Sequence, residues 1–206
     1  MTVFLIDDDA SVRRALTRLI KSAGYQVESF ASAREFLDSG RPSEALGCLV
    51  LDVQMPGFTG IELQRELRAL DSHLPIIFIT GHGDIPTSVR AMKAGAMDFL
   101  QKPVKDKDLL RAIEQALALA RHDHAERQEI EDIRSRVDTL TPREREVMIL
   151  VARGLLNKQV AFELGTVEKT IKVHRARVME KMQVNSLAEL VRLAEKIGLT
   201  DKNPGQ

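Results

Sequence analysis

Short β-rich runs alternate with amphipathic helical stretches over roughly the first 118 residues of the 206-residue chain. This alternation is typical of a parallel sheet covered by helices on both faces, because each parallel strand needs a crossover segment that returns the chain. The predicted strands are 3–6, 26–30, 47–51, 76–80 and 98–101. The predicted helices are 10–23, 32–39, 59–70, 85–94 and a longer one that begins near Asp106. The sequence therefore predicts an α/β fold with a doubly wound, five-stranded parallel sheet.

The helix that begins near Asp106 meets no Gly or Pro through "ARHDHAERQEIEDIRSR", and we expect it to continue to about residue 135. Residues 119–138 then form a charged helical linker between a first domain, 1–118, and a second, 139–206. Apolar residues return near the end of the helix with a spacing that favours packing on the next domain: Ile130, Ile133, Val137 and Leu140.

The second domain is predicted to be all-helical. "TPRE" at 141–144 is a capping box, in which Thr141 caps a helix, Pro142 takes its first position and Glu144 reaches back. A short helix at 158–164, a turn at Gly165 and a longer helix at 168–182 follow, which is the helix-turn-helix pattern. A last helix begins at "SLAE", residues 186–189.

The two domains differ in net charge, although the whole chain has a formal net charge of zero. Residues 139–206 carry 12 Lys and Arg against 8 Asp and Glu, whereas residues 1–120 carry 14 against 16. A basic second domain permits nucleic-acid binding. The single cysteine, Cys48, lies in the apolar run "CLVL" and is expected to be buried, and no apolar run approaches the roughly 18 residues of a membrane span. We therefore expect a cytoplasmic protein with no membrane partner.

Polar residues follow the strands where parallel strands end at one edge of the sheet. They are Asp7 and Asp8, Asp52, Thr80 and Lys102. Carboxylates are the ligands that Mg²⁺ prefers, a hydroxyl can donate to a phosphoryl oxygen, and an ammonium can bind one as a point charge. The edge is therefore predicted to be a phosphoryl site.

Two chemistries fit this edge. "LIDDDAS" satisfies the D-x-D-x-[ST] nucleophile motif of haloacid-dehalogenase-like phosphatases, with Thr80 and Lys102 as later motifs. That fold needs a further acidic pair after a strand beyond the lysine to complete its Mg²⁺ site, but "KPVKDKDLL" leads directly into a helix. It also leaves Asp52 without a role.

The other reading rests on four motifs: "DDD" at 7–9, "LDVQMPGFTGIEL" at 51–63, "IIFITGHGD" at 76–84 and "KAGAMDFLQKP" at 93–103. These resemble the receiver domain of bacterial two-component response regulators, which has a flavodoxin-like fold. The resemblance implies that Asp52 is phosphorylated by a partner histidine kinase. It implies Mg²⁺ (or Mn²⁺) bound by Asp7, Asp8, Asp52 and the backbone carbonyl of Gln54, with Asp9 outside that set.

By the same resemblance, Thr80 and Phe99 form a switch pair beside Lys102, and the peptide bond before Pro103 is expected to be cis. Gly81, His82 and Gly83 are expected to form the loop that carries Thr80.

Helix 168–182 has two unlike faces on a helical wheel. Ile171, Val178 and Met182 form its predicted core face, and short side chains between basic ones point the other way. "TPREREVMILVARGLLNKQVAFELG" and "KTIKVHRARVMEKM" resemble the LuxR-type DNA-binding domain, and the pairing with this receiver resembles the FixJ branch of response regulators. The predicted base contacts are Lys172, Val173, Ala176 and Arg177, and the predicted phosphate contacts are Lys158, Lys169 and Lys181.

Two residues depart from the family pattern. Val167 stands where relatives commonly carry a Ser cap, and Ala176 offers no hydrogen bond where some relatives have Lys. The sequence thus predicts a response regulator in which phosphorylation of Asp52 promotes dimerisation through helix 85–94 and strand 98–101 and controls promoter binding. RNA polymerase is an expected further partner. The alternatives are a regulator that binds DNA regardless of phosphorylation, and the phosphatase.

Overall fold

The computed structural model describes residues 1–40, 46–81 and 85–200, with no side chains described for 85–87. The predicted loop residues His82 and Gly83 lie outside this part of the chain. Contacts divide the chain into two compact units, Met1–Ala125 and Glu126–Gln206. The residue ranges predicted for the two domains and the linker stay predictions.

The first unit contains the predicted parallel sheet. Its strands are β1 (Thr2–Ile6), β2 (Gln26–Phe30), β3 (Gly47–Asp52), β4 (Ile76–Thr80) and β5 (Asp98–Gln101). All neighbouring pairs are parallel, in the order β2-β1-β3-β4-β5. The chain winds from β1 outward to β2 and then returns to the other side of β1 with β3. The winding direction therefore reverses between β1 and β3, where open α/β sheets place their sites.

The helices match the predicted ones to within about three residues at each end. In the first unit they are α1 (Ala10–Ser22), α2 (Ala33–Asp38), α3 (Gly60–Ala69) and α4 (Ile85–Lys93). Helix α5 (Asp106–Asp138) begins in the first unit and ends in the second, three residues beyond the predicted end. The second unit adds α6 (Pro142–Ala152), α7 (Asn157–Glu163), α8 (Glu168–Lys181) and α9 (Leu187–Lys196). None of the helices in the described ranges is long and apolar enough to cross a membrane.

Both faces of the sheet are buried, as the near-continuous apolar strands predict. In β1, Phe4 and Ile6 enter one core with Phe36 and Leu63, and the alternate residues Val3 and Leu5 enter a second core against α5. Cys48 is buried in the second core as predicted, and burial raises the pKa of its thiol to about 12.

The second unit has its own core. Three of the four apolar residues predicted to pack at the end of α5 are buried there: Ile133, Val137 and Leu140. They join residues of α6, α8 and α9, and the three core residues predicted for α8 are all buried. The end of α5 is therefore part of the second unit's core, so it cannot be a fully solvated linker.

Gly60 sets the distance between α3 and the end of β3. A Cβ on Gly60 would lie 2.4 Å from the backbone oxygen of Asp52, closer than any side chain tolerates. The Gly60 N–H donates to the carbonyl of Val53 at 3.0 Å, and Thr59 caps the helix in a capping box with Glu62. Helix α3 therefore starts directly against the strand end that carries Asp52.

We expect Gly60→Ala to lower the free energy of unfolding of the first unit by about 2 kcal/mol, because the new methyl group overlaps backbone and cannot be relieved by a side-chain rotation. The matched control is Gly81→Ala, since a Cβ there meets no atom within 4 Å and the backbone is not left-handed. Urea denaturation of the two variants and the parent chain measures the difference. Equal stability of both variants would show that α3 can shift freely from β3.

Candidate metal centre and nucleic-acid interface

Three carboxylates meet at the carboxyl edge of the sheet. Asp7 follows β1 directly and Asp52 is the last residue of β3, and both are buried, whereas Asp8 is exposed. Each of the three offers a carboxylate oxygen within 4.8 Å of those of the other two. The switch in winding direction thus brings together acids that are 45 residues apart in sequence.

The Lys102 ammonium links two of these carboxylates. Its Nζ donates to Oδ2 of Asp7 at 2.7 Å and to Oδ2 of Asp52 at 2.5 Å. The remaining oxygens accept from the backbone: Oδ1 of Asp7 from the Asp9 N–H at 2.9 Å, and Oδ1 of Asp52 from the Gln54 N–H at 3.0 Å. The shared ammonium and a separate peptide N–H for each side chain therefore fix the orientation of both buried carboxylates.

The electrostatics of this cluster favour additional positive charge. Burial raises the pKa of Asp7, and the proximity of Asp52 adds to the effect, although the hydrogen bond and charge of Lys102 oppose it. Burial acts to lower the pKa of Lys102, but its hydrogen bonds to Asp52 and Asp7 outweigh burial, and the net pKa is raised. Both groups thus hold a proton more tightly than in water. One ammonium leaves three carboxylates incompletely neutralised, and a hard divalent cation suits such an oxygen set.

Asp9 has a different role from its two neighbours. Its carboxylate caps α1 by accepting from the N–H groups of Ser11 at 2.7 Å and Val12 at 3.2 Å, and these bonds lower its pKa. The sequence placed Asp9 outside the metal ligands without assigning it this cap. The signal was available, because an Asp directly before a helix is a preferred N-cap.

Arg13 was not identified from the sequence. Its Nη1 donates to the backbone carbonyls of Asp7 at 2.7 Å and Asp8 at 3.1 Å, so the guanidinium holds the turn that carries both carboxylates. In the sequence, only its position one helical turn after Asp9, at the start of α1, could have indicated this contact.

The predicted switch residues occupy neighbouring strands. Thr80 is fully buried at the end of β4, one position beyond the residue that pairs with Asp52, and its carbonyl accepts from the Lys102 N–H at 2.7 Å. Phe99 pairs with Phe78 across β4 and β5, with ring centroids 6.2 Å apart. The cis peptide bond predicted between Lys102 and Pro103 is confirmed.

In the second unit, α8 presents an exposed basic face. Lys169, Lys172, Val173, Ala176 and Arg177 are all exposed, and Lys172 forms an i, i+4 ion pair with Glu168 at 3.1 Å. Lys158 is exposed on α7, and Arg175 donates to Asn157 at 3.2 Å, which ties α8 to the start of α7. The predicted contact residues of these two helices, apart from Lys181, are therefore accessible to a ligand.

The Lys181 side chain forms its polar contacts within the second unit. Its ammonium donates to the buried carboxylate of Glu144 at 2.6 Å and to the carbonyl of Thr139 at 3.0 Å. Glu144 in turn completes the predicted capping box with Thr141. This ion pair opposes the predicted phosphate contact of Lys181, because moving the ammonium to DNA would leave a carboxylate that is 2 % exposed without its counter-charge.

Val167 begins α8 without a side-chain hydrogen bond. Val167, which stands where relatives commonly carry a Ser cap, therefore provides no cap to α8. Its side chain is exposed. Only packing and backbone hydrogen bonds hold the first turn of α8.

The Glu144–Lys181 pair predicts a pH-dependent stability for the second unit. The Lys181 hydrogen bond and those of Thr141 lower the pKa of Glu144 from 4.5 to about 2, so its ionised form stabilises the fold above pH 4.5 and loses this effect as the pH falls through about 2. We expect Glu144→Gln to cost about 2 kcal/mol near neutral pH, a figure reduced because Lys181 is partly exposed to solvent. The cost should shrink as the pH falls from 4.5 towards 2.

Urea unfolding of the full chain, followed through the amide signals of α8 by NMR, measures this cost. Glu146→Gln is the matched control, because Glu146 makes only an exposed ion pair with Arg143. A cost for Glu144→Gln that does not change with pH would show that the ion pair is not its source.

Two protein-family models match the chain. The response regulator receiver domain matches residues 3–114, and the bacterial regulatory protein, luxR family, matches residues 138–194. The pairing of these two domains implies a sensor kinase and promoter DNA as partners. Receiver domains generally bind Mg²⁺ at an acidic pocket, and Asp7, Asp8 and Asp52 form an acidic cluster in this one.

Characterised relatives match over nearly the full length. Nodulation protein W of Bradyrhizobium diazoefficiens is 50 % identical over 99 % of this chain and 89 % of that protein. The transcriptional regulatory protein FixJ of the same organism is 48 % identical over 96 % of each chain. The response regulator protein TodT of Pseudomonas putida is 46 % identical over 95 % of this chain and 86 % of that protein.

Solved structures of two full-length response regulators are also similar to this chain. The response regulator StyR is 53 % identical, with a TM-score of 0.85 over 95 % of this chain and 98 % of that one. Full-length FixJ from B. japonicum is 47 % identical, with a TM-score of 0.58 over 97 % of this chain and 98 % of that one. Since both domain families and full-length relatives agree, the chain belongs to the FixJ branch of two-component response regulators and is a transcription regulator with a receiver and a LuxR-type DNA-binding domain.

Proposed function

We propose that Asp52 accepts a phosphoryl group from a sensor histidine kinase and that this modification controls DNA binding. The observation that carries the proposal is the placement of the Asp52 carboxylate: it ends β3 at the winding switch, and the Lys102 ammonium lies 2.5 Å from its Oδ2. A phosphoryl group on that carboxylate would add negative charge beside a fixed ammonium. The chain acts in this proposal as a phosphoacceptor and not as a turnover enzyme.

The acidic pocket fits Mg²⁺ or Mn²⁺. Asp7, Asp8 and Asp52 supply carboxylate oxygens, and the backbone carbonyl of Gln54 is the proposed fourth ligand from this chain. The bound cation supplies charge neutralisation for the phosphoryl oxygens. Arg13 holds the carbonyls of the turn that presents Asp7 and Asp8, and Lys102 binds a phosphoryl oxygen from the other side.

We propose that phosphorylation of Asp52 changes the positions of side chains on the neighbouring strands, β4 and β5. Thr80 would donate to the phosphoryl group, and the side chain of Phe99 on β5 would occupy the space that Thr80 vacates. Because α4 connects β4 to β5, which pair in parallel, we propose that α4 and β5 form the surface through which the phosphorylated protein dimerises. Val89 and Met92 are exposed apolar residues of α4, which suits such a contact.

For DNA, we propose that α8 enters the major groove. Lys172, Val173, Ala176 and Arg177 would contact base edges, with Lys158 and Lys169 on phosphates. Lys181 is left out of the proposed contacts because it neutralises Glu144. RNA polymerase is the proposed partner of the promoter-bound dimer.

The phosphatase alternative lacks the strand it needs. In the part of the chain that the structure describes, β5 is the last strand of the sheet, and α5 follows it directly. The phosphorylation-independent regulator stays as the second candidate, because the exposed face of α8 is complete without any modification.

Incubation with acetyl phosphate and Mg²⁺ is expected to place a phosphoryl group on Asp52 that persists for minutes. In that reaction an Asp52 oxygen forms the bond to phosphorus as acetate leaves. Asp52→Asn should abolish labelling and Asp8→Ala should reduce it strongly, as measured by intact-protein mass spectrometry.

Asp9→Ala is the control for these variants. We expect it to keep labelling and to lower the stability of the first unit, because its carboxylate caps α1. Label on Asp7 with steady release of phosphate would contradict the proposal and favour the phosphatase.

The DNA proposal predicts that Lys172→Ala combined with Arg177→Ala weakens promoter binding at least about thirtyfold, since each side chain is expected to contribute about 1–3 kcal/mol. Electrophoretic mobility shift at fixed salt measures the affinity. The control removes the same charge from α6 and the turn after it, with Arg145→Ala and Arg153→Ala, both exposed. Equal losses in the two double variants would show a general charge effect and overturn the assignment of α8.

A further inference from the structure

Two basic side chains link the last turns of α5 and α8. Arg136, in the last turn of α5, donates from its Nη1 to the carbonyl of Met182, the C-cap residue of α8, at 3.3 Å. In the other direction, the Lys181 ammonium of α8 donates to the carbonyl of Thr139, directly after α5, at 3.0 Å. Each helix therefore receives a cation from the other helix at its negative end.

The guanidinium of Arg136 is fixed by both helices. Asp132, one turn earlier on α5, accepts a hydrogen bond from its Nη2. The Arg136 side chain is 26 % exposed, and the nearby Ile133 and Val137 are buried in the core of the second unit, to which α8 also contributes. Arg136 therefore lies beside this core, with one nitrogen bound to α5 and the other to α8.

The end of α8 has a backbone conformation that its sequence does not favour. Gln183, which follows the C-cap, has a φ of 55°, in the left-handed region where Gly is preferred. Its N–H donates to the carbonyl of Glu180 at 3.0 Å, whereas the Met182 carbonyl accepts from Arg136. The Arg136 hydrogen bond therefore stabilises an end of α8 that the local sequence holds poorly.

The exposed basic face of α8 extends close to this end. Arg177, a proposed base contact, lies five positions before Met182, which is about 7.5 Å along the helix axis. Side chains that bind a ligand have to be held within about 0.5 Å of the productive geometry. A change in the direction of the last turns of α8 would therefore move Arg177 away from the base edges.

We infer that Arg136 is a positioning residue for DNA binding: it holds the end of α8 against α5, and so keeps Arg177 in place, without contacting DNA itself. The inference rests on the proposed entry of α8 into the major groove. It assigns part of the DNA affinity to a residue of α5, outside the exposed face of α8.

The test measures the binding of the full-length protein to two duplexes by fluorescence anisotropy over a range of salt concentrations. One duplex is selected by the parent chain from a random-sequence pool, and the other is a scrambled sequence of the same length. We expect Arg136→Met to weaken binding to the selected duplex about tenfold, the effect of one lost base contact, and to change binding to the scrambled duplex much less.

The salt dependence separates positioning from a phosphate contact. In Arg136→Met the slope of log affinity against log salt should equal that of the parent chain, because the number of counterions released from DNA is unchanged. Lys169→Ala, which removes a proposed phosphate contact, should reduce the slope by about 1.

Two further variants are controls for the chemistry of the contact. Arg136→Lys should recover most of the lost affinity, because an ammonium can donate to the same Met182 carbonyl. Arg134→Met should leave affinity unchanged, since Arg134 is exposed on the same helix and forms no hydrogen bond or ion pair within the described part of the chain.

A double variant separates positioning from stability. Gln183→Gly, at an exposed residue, relieves the left-handed backbone and should offset the stability that Arg136→Met loses, as measured by urea unfolding. The protein that carries both substitutions should still bind the selected duplex weakly, because α8 has regained stability but not its hydrogen bond to α5.

Four results would each overturn the inference: unchanged affinity in Arg136→Met, a slope that falls as in Lys169→Ala, an equal loss in Arg134→Met, or recovery of affinity in the double variant. Failure of the proposed DNA contact is seen separately. If Lys172→Ala with Arg177→Ala leaves the affinity unchanged, α8 does not contact the bases, whatever the result for Arg136→Met.

Discussion

The Lys102 ammonium shared by Asp7 and Asp52 is the interaction on which the receiver depends. Two buried carboxylates at the ends of neighbouring strands repel each other, and each loses hydration on burial. One ammonium, delivered by the end of β5, offsets both costs and fixes both side chains. One ammonium does not fully neutralise three carboxylates, so the cluster suits a divalent cation. In the proposed function, the charge that a phosphoryl group adds at Asp52 would alter this balance.

The rest of the first unit keeps that cluster in place. Gly60 lets α3 start against the backbone of Asp52, Arg13 holds the turn of Asp7 and Asp8, and the Lys102 N–H binds the Thr80 carbonyl. In the proposed function, a change of charge at Asp52 would act on β4 and β5 through these contacts. The second unit has a separate core and a separate buried ion pair, Glu144–Lys181. We therefore expect substitutions in that core, or at that ion pair, to act on the stability of the second unit.

Local patterns predicted the strands, the helices and the sheet, because period-2 and period-3.6 spacings record which faces are buried. The acids at the strand ends were identified for the same reason, since parallel strands end at one edge. Long-range partners could not be predicted. In the sequence Lys181 resembles the other basic residues of α8, and no local pattern indicates its ion pair with Glu144, 37 residues away. Likewise, nothing in the sequence near Gln64 indicates that its amide binds carbonyls 27 and 30 residues later.

We propose that the charge at Asp52 sets the affinity for promoter DNA. The most direct measurement is the promoter affinity of one preparation before and after phosphorylation, with Asp52→Asn treated in the same way. The account predicts tighter binding, with dimer formation, only for the phosphorylated parent chain. Equal affinities in all samples would contradict it and leave a regulator whose DNA binding is independent of phosphorylation.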